Sequence, residues 1–162
     1  TIKINNEEIN YLSEESLSNF RNQQIGFVFQ FHNLLDEFTA LENICLPALI
    51  AKRTNSESIK KACELLEILN LTSRKHHKPN ELSGGEKQRV AVARALINSP
   101  SIILADEPSG NLDTQNAIDL HNLFIKLNSE MNQTFLVITH NKDLANLADR
   151  VIEMKDGEII SS

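Results

Sequence analysis

The spacing of apolar positions changes several times along the chain, and each change marks an element. Thr1-Ile2-Lys3-Ile4 alternates, Asn5-Asn6 offers a turn and Glu8-Ile9 resumes the alternation, which predicts an antiparallel hairpin. Ser13 is placed to cap a short helix over about 14–22, with Leu17 and Phe20 on one side. Ile25 to Phe29 is a β-rich apolar run that ends at Gln30. From Phe31 to Leu49 the pattern is less regular. A short helix is expected over about 39–44, with Pro47 ending it or opening the next. Thr54 and Glu57 have capping-box spacing, and the helix they open runs to about Asn70. Ile59, Ala62, Cys63, Leu66 and Leu69 form its apolar stripe, expected in the core. A further helix spans about 86–98 and stops before Pro100. Ile102 to Ala105 lacks polar alternation, as in a parallel strand covered on both faces. Asp113 or Thr114 caps a helix over about 115–130, and Phe135 to Ile138 is a second continuous apolar strand. A short helix over 143–148 follows. Val151–Met154 and Glu158–Ile160 then flank Asp156-Gly157, a favoured hairpin turn.

Alternating strands and helices with continuous apolar strands indicate a parallel α/β core, with an antiparallel β element at its edge. Residues 31–78 read as a helical insertion in that core. The length, 162 residues, suits one domain. A net charge of −6 argues against a nucleic-acid partner, since phosphate contacts need Lys and Arg. No stretch approaches the roughly 18 apolar residues of a membrane span, so direct bilayer insertion is not expected. Thr1 to Ser13 lacks a basic-then-apolar leader pattern. Cys45 and Cys63 have neither the spacing nor the His partners of a zinc site, and are expected to be buried, reduced thiols in a reducing cytosol. Arg74 to Lys78, with His76 and His77, reads as a solvated basic loop rather than a metal site.

The candidate chemistry begins with Leu82-Ser83-Gly84-Gly85-Glu86, followed by Lys87-Gln88-Arg89. A helix start presents unpaired N–H groups and a positive dipole end, which favour an anion such as phosphate. Gly84 and Gly85 remove side chains that would block approach, and Ser83 adds a hydroxyl donor. The plainer alternative is an N-cap at Ser83 with the glycines in the preceding turn. Asp106-Glu107 ends one buried-type strand and His140 ends the next, and in open parallel sheets active residues sit at such strand ends. Taken singly, Asp106 reads as a turn or capping residue, Glu107 as an exposed carboxylate before Pro108, His140 as structural and Gln30 as a strand-end amide.

As a set they resemble the ATP-binding-cassette (ABC) ATPase family. Leu82–Glu86 match its signature, and Ile102–Glu107 match its Walker B strand with the adjoining glutamate. Gly110-Asn111-Leu112-Asp113 resemble its D-loop, His140 its switch histidine and Gln30 its Q-loop glutamine. The resemblance implies a P-loop NTPase-like parallel sheet core with an antiparallel β edge and an α-helical signature subdomain over about 31–98, all within one domain spanning 1–162. It implies ATP and Mg²⁺ as cofactors. Glu107 would be the catalytic base, His140 and Gln30 would assist it, and Asp106 with Gln30 would hold the metal. His140 would donate a hydrogen bond to the γ-phosphate without full protonation. Ser83, Gly84, Gly85, Glu86 and Asp113 would meet the nucleotide of a second copy in a head-to-tail homodimer. The segment after Gln30, whose apolar residues could equally pack within the helical layer, would receive transmembrane permease subunits at the cytoplasmic face of the bacterial inner membrane. The sequence holds no Gly-x-x-x-x-Gly-Lys-Ser/Thr. That phosphate loop lies upstream of the Q-loop in the family, so an N-terminally truncated cassette is expected, inactive and a poor ATP binder by itself.

Phe31-His32-Asn33-Leu34-Leu35, Phe38–Asn43 and Glu107–Asp113 resemble the ATPase subunits of lipoprotein-releasing transporters, with macrolide-exporter and cell-division cassettes close behind. Ser109 stands where those relatives have threonine, keeping the hydroxyl. The alternatives are a soluble cassette acting on nucleic acid or ribosomes, and a non-catalytic nucleotide-dependent interaction module.

Overall fold

Polar side chains set where the helices begin. In the computed structural model, which describes residues 1–161, α1 (Glu14–Gln24), α2 (Ala40–Ile50), α3 (Asn55–Ile68), α4 (Gly84–Leu96) and α5 (Thr114–Met131) start at Ser13, Thr39, Thr54, Ser83 and Asp113. Each capping side chain accepts the backbone N–H three residues on, a donor the helix leaves unpaired. At α2, α3 and α4 a glutamate in the first turn reaches back to the cap's own N–H, completing a capping box. A short α6 (Lys142–Ala145) starts at Asn141.

Between these helices, β3 (Ile25–Phe29), β4 (Ile102–Asp106) and β5 (Thr134–Ile138) form a parallel sheet with β4 in the middle. Two antiparallel hairpins flank it in sequence: β1 (Lys3–Ile4) with β2 (Glu7–Glu8), and β6 (Glu153–Lys155) with β7 (Glu158–Ser161). Asp156 and Gly157 both have positive φ, 52° and 83°, as the expected Asp-Gly turn requires. Val151 and Ile152 lie outside β6.

Val28, Ile103 and Ala105 point from the sheet into the core. α4 crosses so close to β3 that a Cβ on Gly26 would lie 2.7 Å from the Ala95 carbonyl oxygen. The rings of Phe124 on α5 and Phe135 on β5 stack with centroids 4.6 Å apart. On the opposite face Phe27, Phe29, Leu136 and Ile138 are exposed. The expectation of strands covered on both faces is therefore corrected: among the described residues, helices pack on one side only, and burial alternates along β3 and β4.

α2, α3 and α4 form a helical layer around Ile44, Leu65, Leu66, Leu69, Val90 and Ile97. α2 corrects the predicted short helix, because it runs through Pro47 to Ile50. Pro47 lacks the N–H of a normal helical residue. Its carbonyl oxygen, however, accepts from Asn22 Nδ2 at 3.2 Å, Asn98 Nδ2 at 3.1 Å and the Ala51 N–H at 3.0 Å. The carbonyls of His77 and Lys75 serve the N–H groups of Ala40 and Leu41 at 2.8 and 3.0 Å, in the first turn of the same helix. On α3 the buried stripe is rotated from the predicted one: Leu65 is buried and Ile59 is 38% exposed. Ser58 takes an inward position because its hydroxyl donates to the Thr54 carbonyl at 2.9 Å. Of the thiols, Cys45 is buried and Cys63 half-buried, both free. Burial, with lesser effects from Cys63 and Glu42, pushes the Cys45 thiol up to about 11.

Asn43 joins the start of α2 to the segment after β3. Fully buried, it donates from Nδ2 to the carbonyls of Leu35, Phe38 and Thr39 at 3.0–3.1 Å, and its Oδ1 accepts the Leu35 N–H at 2.8 Å. Asn43→Leu keeps the side chain's branched four-heavy-atom outline but leaves the Leu35 N–H and the Phe38 carbonyl without their hydrogen bonds. It is expected to lower stability by about 3 kcal/mol in urea unfolding; a loss below about 1 kcal/mol would show that these bonds are dispensable.

Candidate functional site

The parallel register sets Phe29 opposite Asp106 and Asp106 opposite Ile138. The residues that follow these strand ends, Gln30, Glu107 and Thr139-His140, are thereby brought to one edge of the sheet. The Glu107 N–H donates to the Ile138 carbonyl at 2.9 Å, one rung beyond β4. Its φ is +43°, in the left-handed region that a residue with a side chain seldom occupies. The chain turns there, and the Gly110 N–H returns to the Glu107 carbonyl at 3.0 Å.

That turn aims the Glu107 carboxylate at the end of β5. Oε1 accepts from the His140 backbone N–H at 2.8 Å and pairs with His140 Nδ1 at 2.7 Å, while Oε2 accepts from Thr139 Oγ1 at 3.1 Å. Partial burial alone would raise the Glu107 pKa. The bonds from the His140 ring, the His140 backbone and Thr139 together outweigh it and hold the carboxyl below its usual range. The carboxylate is therefore ionised and fixed. The His140 ring is 86% exposed. With Nδ1–H donated to Glu107, the Nε2 of a neutral ring is an acceptor and becomes a donor only on protonation.

Gln30 is tethered on its other side. Its Nε2 donates to Asn111 Oδ1 at 3.1 Å, and Asn111 Nδ2 donates to the Gln30 carbonyl at 3.2 Å. Gly110 makes room for this pairing, since a Cβ there would lie 2.8 Å from Gln30 Nε2. The side-chain oxygen of Gln30 is left without a hydrogen bond, as is the exposed carboxylate of Asp106 beside it in the sheet. Two such oxygens suit Mg²⁺, which binds few protein ligands and keeps water and phosphate as the others. Among the described residues no group of three or more His, Cys, Asp or Glu stands close enough together to hold a metal ion.

The second cluster stands at the start of α4. Gly84 and Gly85 are inside the helix, as its first two residues, rather than in a preceding turn. A Cβ on Gly84 would only touch Leu112 at 3.8 Å, so this glycine does leave the helix end open. Gly85 serves another purpose: the Asn116 side chain fills the space a Cβ would need. Asn116 is itself held by Asp113, whose carboxylate accepts from the Asn116 backbone N–H at 2.9 Å and Nδ2 at 2.6 Å. These bonds lower the Asp113 pKa. Asp113 thus caps α5 beside Gly85. Ser83 and Glu86 exchange hydrogen bonds in the capping box, and Arg74 Nε donates to Glu86 Oε1 at 2.8 Å. The Arg74–Lys78 segment is accordingly not a merely solvated loop. No hydrogen bond among the described residues joins Ser83–Glu86 to Glu107 or His140.

The supporting contacts of Thr139, Asn111, Asn116 and Arg74, and of two side chains of α4, escaped the sequence reading. Gln88, 1% exposed, donates to the Phe29 carbonyl at 3.3 Å. Arg94 donates to the carbonyls of His32 and Asn33 at 2.8 and 2.5 Å, fastening the segment after Gln30 to α4. A cavity of about 430 Å³ opens beside the edge, between Glu107 and His140 at its mouth and Ser109, His121 and Asp143. Buried His121 there pairs with Ser109 Oγ at 3.2 Å.

A family model described as ABC transporter matches residues 1–110. The chain belongs to the ABC transporter family. It is 59% identical to the "Lipoprotein-releasing system ATP-binding protein LolD" of Cytophaga hutchinsonii and 57% identical to that of Bacteroides thetaiotaomicron, in each case over 98% of this chain and 73% of the relative. Among solved structures it resembles the dimeric post-hydrolysis state of the ATP-binding cassette MJ0796 bound to ADP and Pi. The TM-score is 0.84 and the identity 43%, over 98% of this chain and 70% of the other. As a cassette of this family the chain is a nucleotide-binding ATPase subunit. Among the described residues no helix is long and apolar enough to cross a membrane.

Two predictions follow from the cassette's geometry. Gly85→Ala drives a methyl group into Asn116 and is expected to cost about 1–3 kcal/mol in thermal or urea unfolding, whereas Gly84→Ala should be neutral within about 0.5 kcal/mol. Equal effects of the two would contradict the packing described. The lowered pKa of Glu107 means that its clasp stabilises the fold above the ordinary glutamate value of about 4.3 and is lost as the pH falls through the lower folded value. A carbon-13 titration of the Glu107 carboxyl should show a midpoint below about 4.3; a midpoint above it would remove the clasp.

Proposed function

We propose that this cassette hydrolyses ATP to power the release of lipoproteins from the bacterial inner membrane, working as a head-to-tail homodimer on the cytoplasmic face beneath transmembrane permease subunits. The observation that carries hydrolysis is the ionised Glu107 carboxylate, fixed by His140 and Thr139 at the strand ends. The cargo rests on the likeness to the two LolD proteins.

When bound, ATP supplies the γ-phosphoryl group and Mg²⁺ offsets its charge. The residues described above contribute as follows. Glu107 takes up the proton of the attacking water or polarises it. His140, oriented through Nδ1, offers Nε2 toward the phosphate. Asp106 and the Gln30 side-chain oxygen would hold the Mg²⁺. Residues Ser83, Gly84, Gly85 and Glu86 face the phosphate of nucleotide carried by the partner copy, with Asp113 at the same interface. Residues 31–98 serve as the helical subdomain. Its exposed Phe31, Leu35 and Phe38 receive the permease, while Leu34, Leu41 and Ile44 turn inward.

In the whole gene product, Glu107→Gln is expected to bind ATP normally and to slow phosphate release by about 10²–10⁴. Turnover within about twofold of the natural protein would take the base role away from Glu107.

A further inference from the structure

The start of α4 contains an electrostatic conflict. Its first-turn N–H groups and dipole favour an anion, yet Glu86 sits in that turn, and its carboxylate folds back over the helix end to accept the Ser83 N–H at 2.8 Å. The bonds from Arg74 and then from Ser83 hold the Glu86 carboxyl below its usual range against partial burial, so the group is ionised. An incoming phosphate would meet this negative charge within one helical turn. The capping box also uses the Ser83 and Glu86 N–H groups, so of the helix's first residues the exposed Gly84 keeps its N–H toward the surface, while Gly85 is buried against Asn116.

Arg74 resolves the conflict. It ends a short 3-10 turn, Thr72–Arg74, that the Arg74 N–H ties to the Leu71 carbonyl at 2.8 Å. From there its Nε reaches Glu86 Oε1 at 2.8 Å, twelve residues away. The two carboxylate oxygens are thus divided: Oε2 closes the capping box and Oε1 takes the cation. The Glu86 side chain is 18% exposed, so the pair is partly shielded, while Arg74, at 41%, keeps part of its charge toward the surface where an anion arrives.

We propose that Arg74 is a positioning and charge-compensating residue for the phosphate-binding end of α4: it neutralises Glu86 and turns its carboxylate away from the nucleotide that Ser83, Gly84 and Gly85 receive. The assignment deepens the proposed function and rests on its reading that α4 faces nucleotide. Arg74 itself need not touch phosphate. Its effect is read through Glu86, and that dependence separates it from a merely structural arginine.

The test is a double-mutant cycle in the whole ATPase, with steady-state phosphate release measured against ATP concentration. Arg74→Met keeps the aliphatic stem and removes the charge. With Glu86 present it should raise KM for ATP about three- to tenfold (about 0.7–1.4 kcal/mol) and change kcat little. The rise should shrink as salt screens the exposed charges. In the Glu86→Gln background, where there is no carboxylate to compensate, the same substitution should raise KM less than about twofold. An equal rise in both backgrounds, or a loss of kcat with unchanged KM, would overturn the proposal and make Arg74 a fold-supporting residue. The underlying reading is tested separately. If Gly84→Asp, which adds a charge at the open helix end, leaves the KM for ATP unchanged while Glu107→Gln still abolishes turnover, α4 does not face nucleotide and the proposal falls with that reading.

Discussion

The site depends first on the register of the parallel sheet. Three strands of equal length end in one row, and a hydrogen bond from Glu107 to Ile138 carries the ladder one residue further. A slip of one residue in β4 would turn Glu107 to the other face of the sheet and part it from His140. The register is in turn set by packing. Val28, Ile103 and Ala105 face a buried layer, and α4 lies hard against Gly26, so a slipped strand would put wrong side chains in the core. Core packing therefore fixes the geometry of this edge from below.

Glu107 is held in a backbone conformation that costs of order 1 kcal/mol. What offsets this is visible nearby: the carboxylate collects three hydrogen bonds, and the turn is closed by Gly110. The strain and the clasp belong together. The left-handed φ aims the side chain at the end of β5, and the bonds waiting there make that φ tolerable. A carboxylate so fixed has little freedom left to lose, the condition preorganised catalytic groups share.

Much of this was legible in the residues. The capping box at Thr54, the strand Ile25–Phe29 and the Asp-Gly turn follow from local chemistry and came out where local chemistry puts them. What local rules missed had tertiary causes. Pro47 continues a helix because its carbonyl bonds and the surrounding layer offset its missing donor. Ser58 replaces Ile59 on the inward stripe because a hydroxyl can bond back to its own helix. In the site, the strand-end residues stood out by type and position, but their tethers did not. Asn111 is 81 residues from Gln30 and Arg94 about sixty from the carbonyls it holds; such pairings exist only after folding. Arg74 was read as part of a solvated basic run because nothing in its neighbourhood shows that Glu86 comes to meet it.

The Pro47 carbonyl has a mechanical consequence. One oxygen serves amides from α1 and from just beyond α4, so sliding α2 along its axis stretches both bonds at once. That one oxygen therefore makes α2, α1 and the end of α4 move as a linked set, since displacing any one of them loads a bond to the same atom.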